Sequence, residues 1–130
     1  MKIKQLKQKY QGKTVEDYGG YMSPSAKTFV SGFRATIKEI CNDAGATLIS
    51  CKAGHYYLSG FIKKDNNYVY FSRDIERYNQ PINLNSSGPM FGILIRSAKN
   101  TNDYRGGRNN FTGIDDFKPV MKALLDKPLF

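Results

Sequence analysis

The sequence predicts an α+β fold in which a small antiparallel sheet packs with an N-terminal helical region and a C-terminal helix. Two observations predict this class. Apolar residues recur at helical spacing near both ends of the chain, and the middle contains runs rich in aromatic and β-branched residues. The chain has 130 residues, 40% of them hydrophobic, and no Pro- or Ser-rich spacer divides it. We therefore expect a single domain over residues 1–130.

Three helices are predicted from apolar side chains at three- and four-residue spacing. They cover residues 2–10, residues 24–44 and residues 114–126. The middle helix has the clearest end signals. Ser23 is a favoured N-cap before a proline at the first helical position, and Gly45 suits the left-handed conformation that ends many helices.

The pattern changes from helical to extended after the second helix. Residues 47–51 form a short β-prone run. Residues 55–63 and 67–73 are rich in aromatic and β-branched side chains and are joined by a polar turn, so they are predicted to form a hairpin. Residues 90–97 are apolar on both faces, which predicts a central strand.

Positive charge dominates the composition. Twenty Lys and Arg residues against eleven Asp and Glu give a net charge of +9 and a pI near 9.6. This balance indicates a phosphate-bearing partner such as nucleic acid, a nucleotide or an anionic lipid headgroup, although a basic surface that only maintains solubility would have the same composition. Lysines crowd the N-terminus. Arginines crowd the second of two polar stretches predicted as loops, residues 74–89 and 98–113.

The side chains that enzymes use are scarce. His55 is the one histidine, Cys41 and Cys51 do not form a CxxC pair, and the sequence contains no HExxH, GxSxG, P-loop or GxGxxG pattern. Eleven scattered acidic residues leave a catalytic carboxylate pair open without favouring one. We therefore expect a protein that is not an enzyme and that uses no cofactor and no metal.

The sequence also lacks the signals of export and membrane insertion. The N-terminal segment has no apolar core of the kind found in signal peptides, and no run reaches the roughly 18 apolar residues that a membrane span needs. We expect a cytoplasmic protein with reduced thiols and no membrane partner.

The second polar loop contains the residues best suited to binding an anion. Gly106 and Gly107 allow positive φ and expose backbone N–H groups. Arg105 and Arg108 flank them with forked donors suited to phosphate oxygens, and nearby amides and aromatic rings suit a base. The alternative is a glycine-rich connection whose arginines only face solvent. The candidate ligand-binding residues here are Arg96, Lys99, Tyr104, Arg105, Gly106, Gly107, Arg108, Asn109, Asn110 and Phe111.

The predicted strands add aromatic rings. With a period of two, Tyr68 and Tyr70 share one face of a strand while Val69 and Phe71 share the other. One face should be core, and the other is suited either to stacking nucleobases or to ordinary half-buried packing. Tyr57 and Phe71 complete the set of candidate ligand-binding residues.

Four stretches occur in a familiar order: GHYYLSGF at 54–61, YVYFS at 68–72, ILIRSAK at 93–99 and DYRGGRNNF at 103–111. Together they resemble the first-described Thoeris anti-defence family of small phage proteins, over roughly residues 10–125. The resemblance implies a homo-oligomer, built on dimers, that sequesters the cyclic ADP-ribose signal of a TIR-domain defence enzyme without degrading it. It also implies that cyclic oligonucleotides are held at a separate site in some members. An anti-CRISPR-like or nucleic-acid-binding blocker that uses the same basic surface is the alternative.

Overall fold

The computed structural model describes residues 1–14, 24–54, 56–76 and 80–130. In this part of the chain, five strands form one antiparallel sheet in the order β1-β2-β3-β4-β5, with two helices before it and one after it. The elements are α1 (Ile3–Tyr10), α2 (Pro24–Asp43), β1 (Thr47–Ala53), β2 (Tyr57–Lys64), β3 (Asn67–Asp74), β4 (Ile93–Ala98), β5 (Asn110–Thr112) and α3 (Phe117–Asp126).

One face of the sheet forms the hydrophobic core with the helices. Successive residues of a strand point to opposite faces, so Ile62 of β2 and Phe71 of β3 turn toward the helices and are fully buried. All three helices add buried apolar side chains to the same cluster. The opposite face carries Phe61, Tyr70 and Arg96 on the three middle strands and is called the aromatic face below.

The predicted α+β class is confirmed, and the longest elements lie close to where the sequence predicts them. Helix α2 ends at Asp43, one residue before the predicted end, and the hairpin of β2 and β3 pairs along its whole length. Strand β4 has a neighbour on each side, as its two apolar faces predict. The predicted cap Ser23 and the histidine His55 lie outside the described residues.

The largest differences from the sequence predictions concern β4, β5 and α3, and β1 also runs to Ala53, two residues past its predicted end. Strand β4 begins at Ile93 rather than at residue 90, because Phe91 adopts a left-handed φ of 64° that cannot continue a strand. Strand β5 lies inside the segment predicted as a loop, since three residues are too few to show a period of two. Helix α3 begins at Phe117 rather than at residue 114, because residues 114–116 form a turn in which the Phe117 N–H donates to the Ile114 carbonyl at 3.4 Å.

A buried ion pair fixes the chain that leaves β3. Arg73 donates two hydrogen bonds to the Glu76 carboxylate, at 2.9 and 2.6 Å, and both side chains are almost completely buried. Arg73 also donates to the Asn83 carbonyl at 3.1 Å, and the Asn83 N–H donates to Glu76 at 3.2 Å. The guanidinium lies 5.3 Å from the ring centroid of Phe29. The pair therefore ties the end of β3 to residue 83 and to helix α2.

Candidate functional site

The candidate site is built on a row of side chains that crosses the aromatic face. The register of the sheet places Ser50 opposite Phe61, Phe61 opposite Tyr70, and Tyr70 opposite Arg96. The rings of Phe61 and Tyr70 lie 5.3 Å apart, and the Arg96 guanidinium lies 4.9 Å from the Tyr70 ring centroid. Such pairs across strands stabilise a sheet, and the cation–π contact orients the arginine over the ring.

Tyr104, from the loop between β4 and β5, covers this row. Its ring meets Phe61 at 5.3 Å and Tyr70 at 5.7 Å between centroids, both edge to face. Phe61 is only 3% exposed although it lies on the face away from the helices, whereas Tyr104 is 57% exposed. The loop therefore shields this part of the aromatic face from water.

Asp103 organises the same loop by accepting three backbone hydrogen bonds. Its Oδ2 accepts from the Lys99 N–H at 2.9 Å, and its Oδ1 accepts from Arg105 at 3.2 Å and from Gly106 at 2.7 Å. These bonds, led by the one from Lys99, lower the pKa of Asp103. The Gly106 N–H, which the sequence suggested for a ligand anion, is thus already bound to a carboxylate of the chain itself.

Gly106 and Gly107 also allow other parts of the chain to pack closely against them. A Cβ at Gly106 would lie 2.1 Å from the Asp103 carboxylate, and one at Gly107 would lie 2.4 Å from the Ser97 carbonyl. Gly107 also adopts a left-handed φ of 73°, which glycine tolerates best. The next residue, Arg108, donates its N–H to the Leu129 carbonyl at 3.1 Å and so joins the loop to the C-terminal segment.

Four cationic side chains lie in strand β4 and in the loop that follows it. Lys99, Arg105 and Arg108 are exposed, and none of them forms a salt bridge with a residue that the structure describes. Arg96 is less exposed and donates from Nη1 to Asn109 Oδ1 at 3.2 Å. Its Nε is the one buried side-chain nitrogen or oxygen without a hydrogen-bond partner in the described part of the chain.

A cleft of about 430 Å³ opens beside the row, between the first two strands and the loop. Its volume is within the range of small-molecule sites, roughly 300–1,000 Å³. Lys52 places a cation in its wall, and Thr101 and Asn102 add a hydroxyl and an amide. The described lining residues are Ile49, Ser50, Lys52, Ser59, Gly60, Phe61, Thr101, Asn102 and Tyr104.

The sequence analysis missed most of this lining. Lys52 lies one residue beyond the short run predicted at residues 47–51, and its place at the cleft follows from the register that sets it opposite Ser59. Thr101 and Asn102 lie in the second polar loop, but the ligand contacts predicted there are at other residues, because glycine and arginine are the residue types that suit phosphate oxygens. The alternation of side chains in the hairpin could have predicted that Phe61 lies near the site, because one face of that hairpin has to lie away from the core.

The structure brings some predicted site residues together and separates others. Arg96, Tyr104 and Asn109 meet at the row, and Phe111 lies opposite Leu94 in the sheet. The Asn110 amide donates to the Arg108 carbonyl at 3.0 Å and so belongs to the loop's own framework.

Two predicted residues lie elsewhere, and one of them requires a correction. Tyr57 stands at the start of β2, about 13 Å along the strand from Phe61 at roughly 3.3 Å per residue. Phe71 is wrong as a contact residue. It alternates with Tyr70, is fully buried in the core and packs edge to face on Phe117 with centroids 6.0 Å apart. A ligand on the aromatic face cannot reach it.

Comparison with protein-family models, with curated proteins and with solved structures finds no match for this chain. In the described residues, no three His, Cys, Asp or Glu side chains cluster as ligands of a metal ion. None of the helices in that part of the chain is both long enough and apolar enough to cross a membrane. The site is therefore interpreted from its own geometry.

Proposed function

We propose that the protein binds a cyclic nucleotide-derived immune signal and holds it without cleaving it. The cyclic ADP-ribose isomers are the first ligands we expect, with cyclic oligonucleotides as further ones. The observation that carries the proposal is the cleft of about 430 Å³ on the aromatic face, where Lys52, an amide and two aromatic rings line one space. The order of the four sequence stretches described above supports the same ligand class.

Each part of such a ligand has a chemical partner at this site. Phosphate oxygens suit Lys52 in the wall of the cleft, and the loop after β4 adds the exposed cations Lys99 and Arg105. A base suits the aromatic rings of the row, because aromatic side chains are sequence-tolerant stacking surfaces. The net charge of +9 attracts an anionic ligand from a distance and speeds its capture.

The residues that line the cleft support binding of the ligand without its cleavage. Among the described residues that line the cleft there are hydroxyls and one amide, but no imidazole or carboxylate that would serve as a general base. The nearby Asp103 carboxylate is engaged with three backbone N–H groups. On this proposal the protein acts as a phage-type anti-defence sponge in the cytoplasm of a host cell.

Release of the captured ligand tests the proposal. The protein is incubated with cyclic ADP-ribose, freed of unbound ligand, denatured by heat and examined by mass spectrometry. We expect the ligand to be recovered unchanged. Lys52→Gln should weaken capture by roughly 10- to 100-fold, the effect of losing one charge-assisted hydrogen bond of about 1.5–3 kcal/mol. Lys122→Gln, on the exposed surface of α3, is the matched control and should leave capture unchanged. A hydrolysed product, or no ligand at all, would contradict the proposal.

A blocker of polymeric nucleic acid is the second candidate, and the surface of α1 favours it. Lys4 and Lys9 are exposed and form no salt bridge with described residues, whereas Lys2 pairs with Glu39 and Lys7 with Asp115. A polymer would bind with an affinity that falls steeply with salt, with a log–log slope near the number of phosphates contacted. Replacing Lys4 and Lys9 by glutamine should lower that slope for DNA or RNA, yet leave capture of cyclic ADP-ribose unchanged.

A further inference from the structure

The buried Nε of Arg96 is a polar atom without a partner. In the same guanidinium, Nη1 donates to Asn109 Oδ1, and the central carbon lies 4.9 Å from the Tyr70 ring centroid. A buried N–H donor without an acceptor destabilises the protein, and such atoms are rare in native structures. The position of this one, at the end of the row on the aromatic face, indicates an acceptor that arrives with a ligand.

An acceptor can reach a buried atom only if a neighbouring side chain moves, and Tyr104 lies against the same Tyr70 ring that Arg96 contacts. Its ring is held by two edge-to-face contacts, its hydroxyl forms no hydrogen bond with a described residue, and it is 57% exposed. Beneath it lie the rings of Phe61 and Tyr70, whose centroids are 5.3 Å apart and whose planes are inclined by 57°. Adjacent strands lie about 4.8 Å apart, so a ring placed on them lies one strand away from Arg96.

We infer that a planar ring of the ligand takes the place of Tyr104 on Phe61 and Tyr70 and accepts a hydrogen bond from Arg96 Nε. The ligand class is a flat heteroaromatic ring with a carbonyl oxygen or an unprotonated nitrogen at its edge. The inference rests on the proposed function, because it places the ring of that ligand. Tyr104 then acts as a displaceable cover, and Arg96 acts as the residue that selects the ring edge.

This inference is tested by whether Tyr104→Ala binds cyclic ADP-ribose more tightly or more weakly than the wild type. Cyclic ADP-ribose is the ring-bearing probe, and pyrophosphate is the matched probe without a ring. Tyr104→Ala removes the cover, so it should bind cyclic ADP-ribose more tightly than the wild type, by about 5-fold for the loss of edge-to-face contacts of this kind. Tyr104→Phe keeps the ring and should bind like the wild type. Neither change should alter the affinity for pyrophosphate.

Two further variants test whether Arg96 Nε donates to the ligand and whether the side chain at position 104 is displaced. Arg96→Lys keeps the charge but lacks Nε–H, so it should bind cyclic ADP-ribose about 10-fold more weakly and leave pyrophosphate unaffected. Because the chain contains no tryptophan, Tyr104→Trp carries a single reporter. Binding of cyclic ADP-ribose should make its fluorescence more accessible to acrylamide quenching.

The outcomes separate this inference from the proposed function. Weaker or equal binding of cyclic ADP-ribose by Tyr104→Ala, in a chain whose thermal unfolding is unchanged, would overturn the inference while the proposed function stands. Unchanged quenching of the tryptophan in a ligand-bound chain would overturn it as well. Failure of wild type and all variants to bind cyclic ADP-ribose would overturn both.

Discussion

At the scale of single residues, the two cysteines show how burial sets reactivity. Cys41 of α2 and Cys51 of β1 are buried free thiols, and the Cys41 Sγ lies 4.0 Å from the Met121 sulfur. Desolvation raises the pKa of Cys41 to about 12 and that of Cys51 to about 11. The thiolate is the reactive form, so both side chains behave as apolar core residues.

We predict that neither thiol reacts with an aromatic disulfide reagent in the native protein at about pH 8, and that both react in concentrated guanidinium chloride. The same pKa shifts predict a lower free energy of unfolding as the pH rises above about 8.5, because the thiols then ionise in the unfolded chain but not in the folded one. A Cys41→Ala, Cys51→Ala chain should lose this alkaline decline. Rapid labelling of either native thiol would contradict the assignment to the core.

Some roles of single residues could not be predicted from the sequence. Asp103 looks like one polar residue in a polar loop, and its function as the acceptor for three backbone donors depends on the turn that brings Lys99 and Gly106 to it. Arg73 sits in a strand rich in tyrosine, and its burial with Glu76 follows from a chain path that no local pattern encodes. The aromatic alternation, by contrast, did place Tyr70 and Phe71 on opposite faces.

At the scale of elements, the contact between β1 and β2 depends on a glycine. The pairing of these strands shifts register between Leu48 and Ser50, and a Cβ at Gly60 would lie 1.8 Å from the Ser50 carbonyl oxygen. The Cys51 carbonyl in β1 accepts a hydrogen bond from Arg34 Nε at 2.8 Å. The irregular first strand is thus held by close approach on one side and by helix α2 on the other.

We predict that Gly60→Ala destabilises the protein by about 3 kcal/mol, because a backbone carbonyl cannot move aside as a flexible side chain would. Gly88→Ala is the control, since a Cβ at that position meets nothing within 4 Å, and its effect should stay below about 0.5 kcal/mol. Urea unfolding of both variants measures the difference. Equal stabilities would show that β1 does not approach β2 as described.

The helices and strands differ in how accurately their bounds can be predicted from the sequence. Helix α2 has twenty residues of sustained periodicity, so its end was predicted to within one residue. The β2–β3 hairpin carries both β-prone runs and a polar turn, and its strand ends were predicted to within two residues. Strand β5 has three residues and exists because β4 offers it a pairing edge, which is a tertiary cause that local sequence does not contain.

At the scale of the whole molecule, several apolar side chains remain on the surface. Met90 is 68% exposed, Phe130 58%, Ile49 45% and Leu129 44%. Exposed apolar residues that form patches are typical of protein interfaces. We propose that they take part in the homo-oligomer, built on dimers, that the resemblance implies.

We predict that light scattering at micromolar concentrations returns a mass of at least twice the 14.7 kDa of the chain. Leu129→Ser with Phe130→Ser tests whether the C-terminal segment takes part, and Lys127→Ser is the matched control in the same segment. A mass of one chain across the whole concentration range would refute the oligomer.

The Asp103 turn has a consequence for selectivity. Its carboxylate is tethered two to four residues from the N–H groups that it occupies, so it competes for them at an effective concentration in the millimolar range or above. On the proposed function, discrimination among anions therefore rests on side chains outside this turn, such as the Lys52 ammonium in the wall of the cleft.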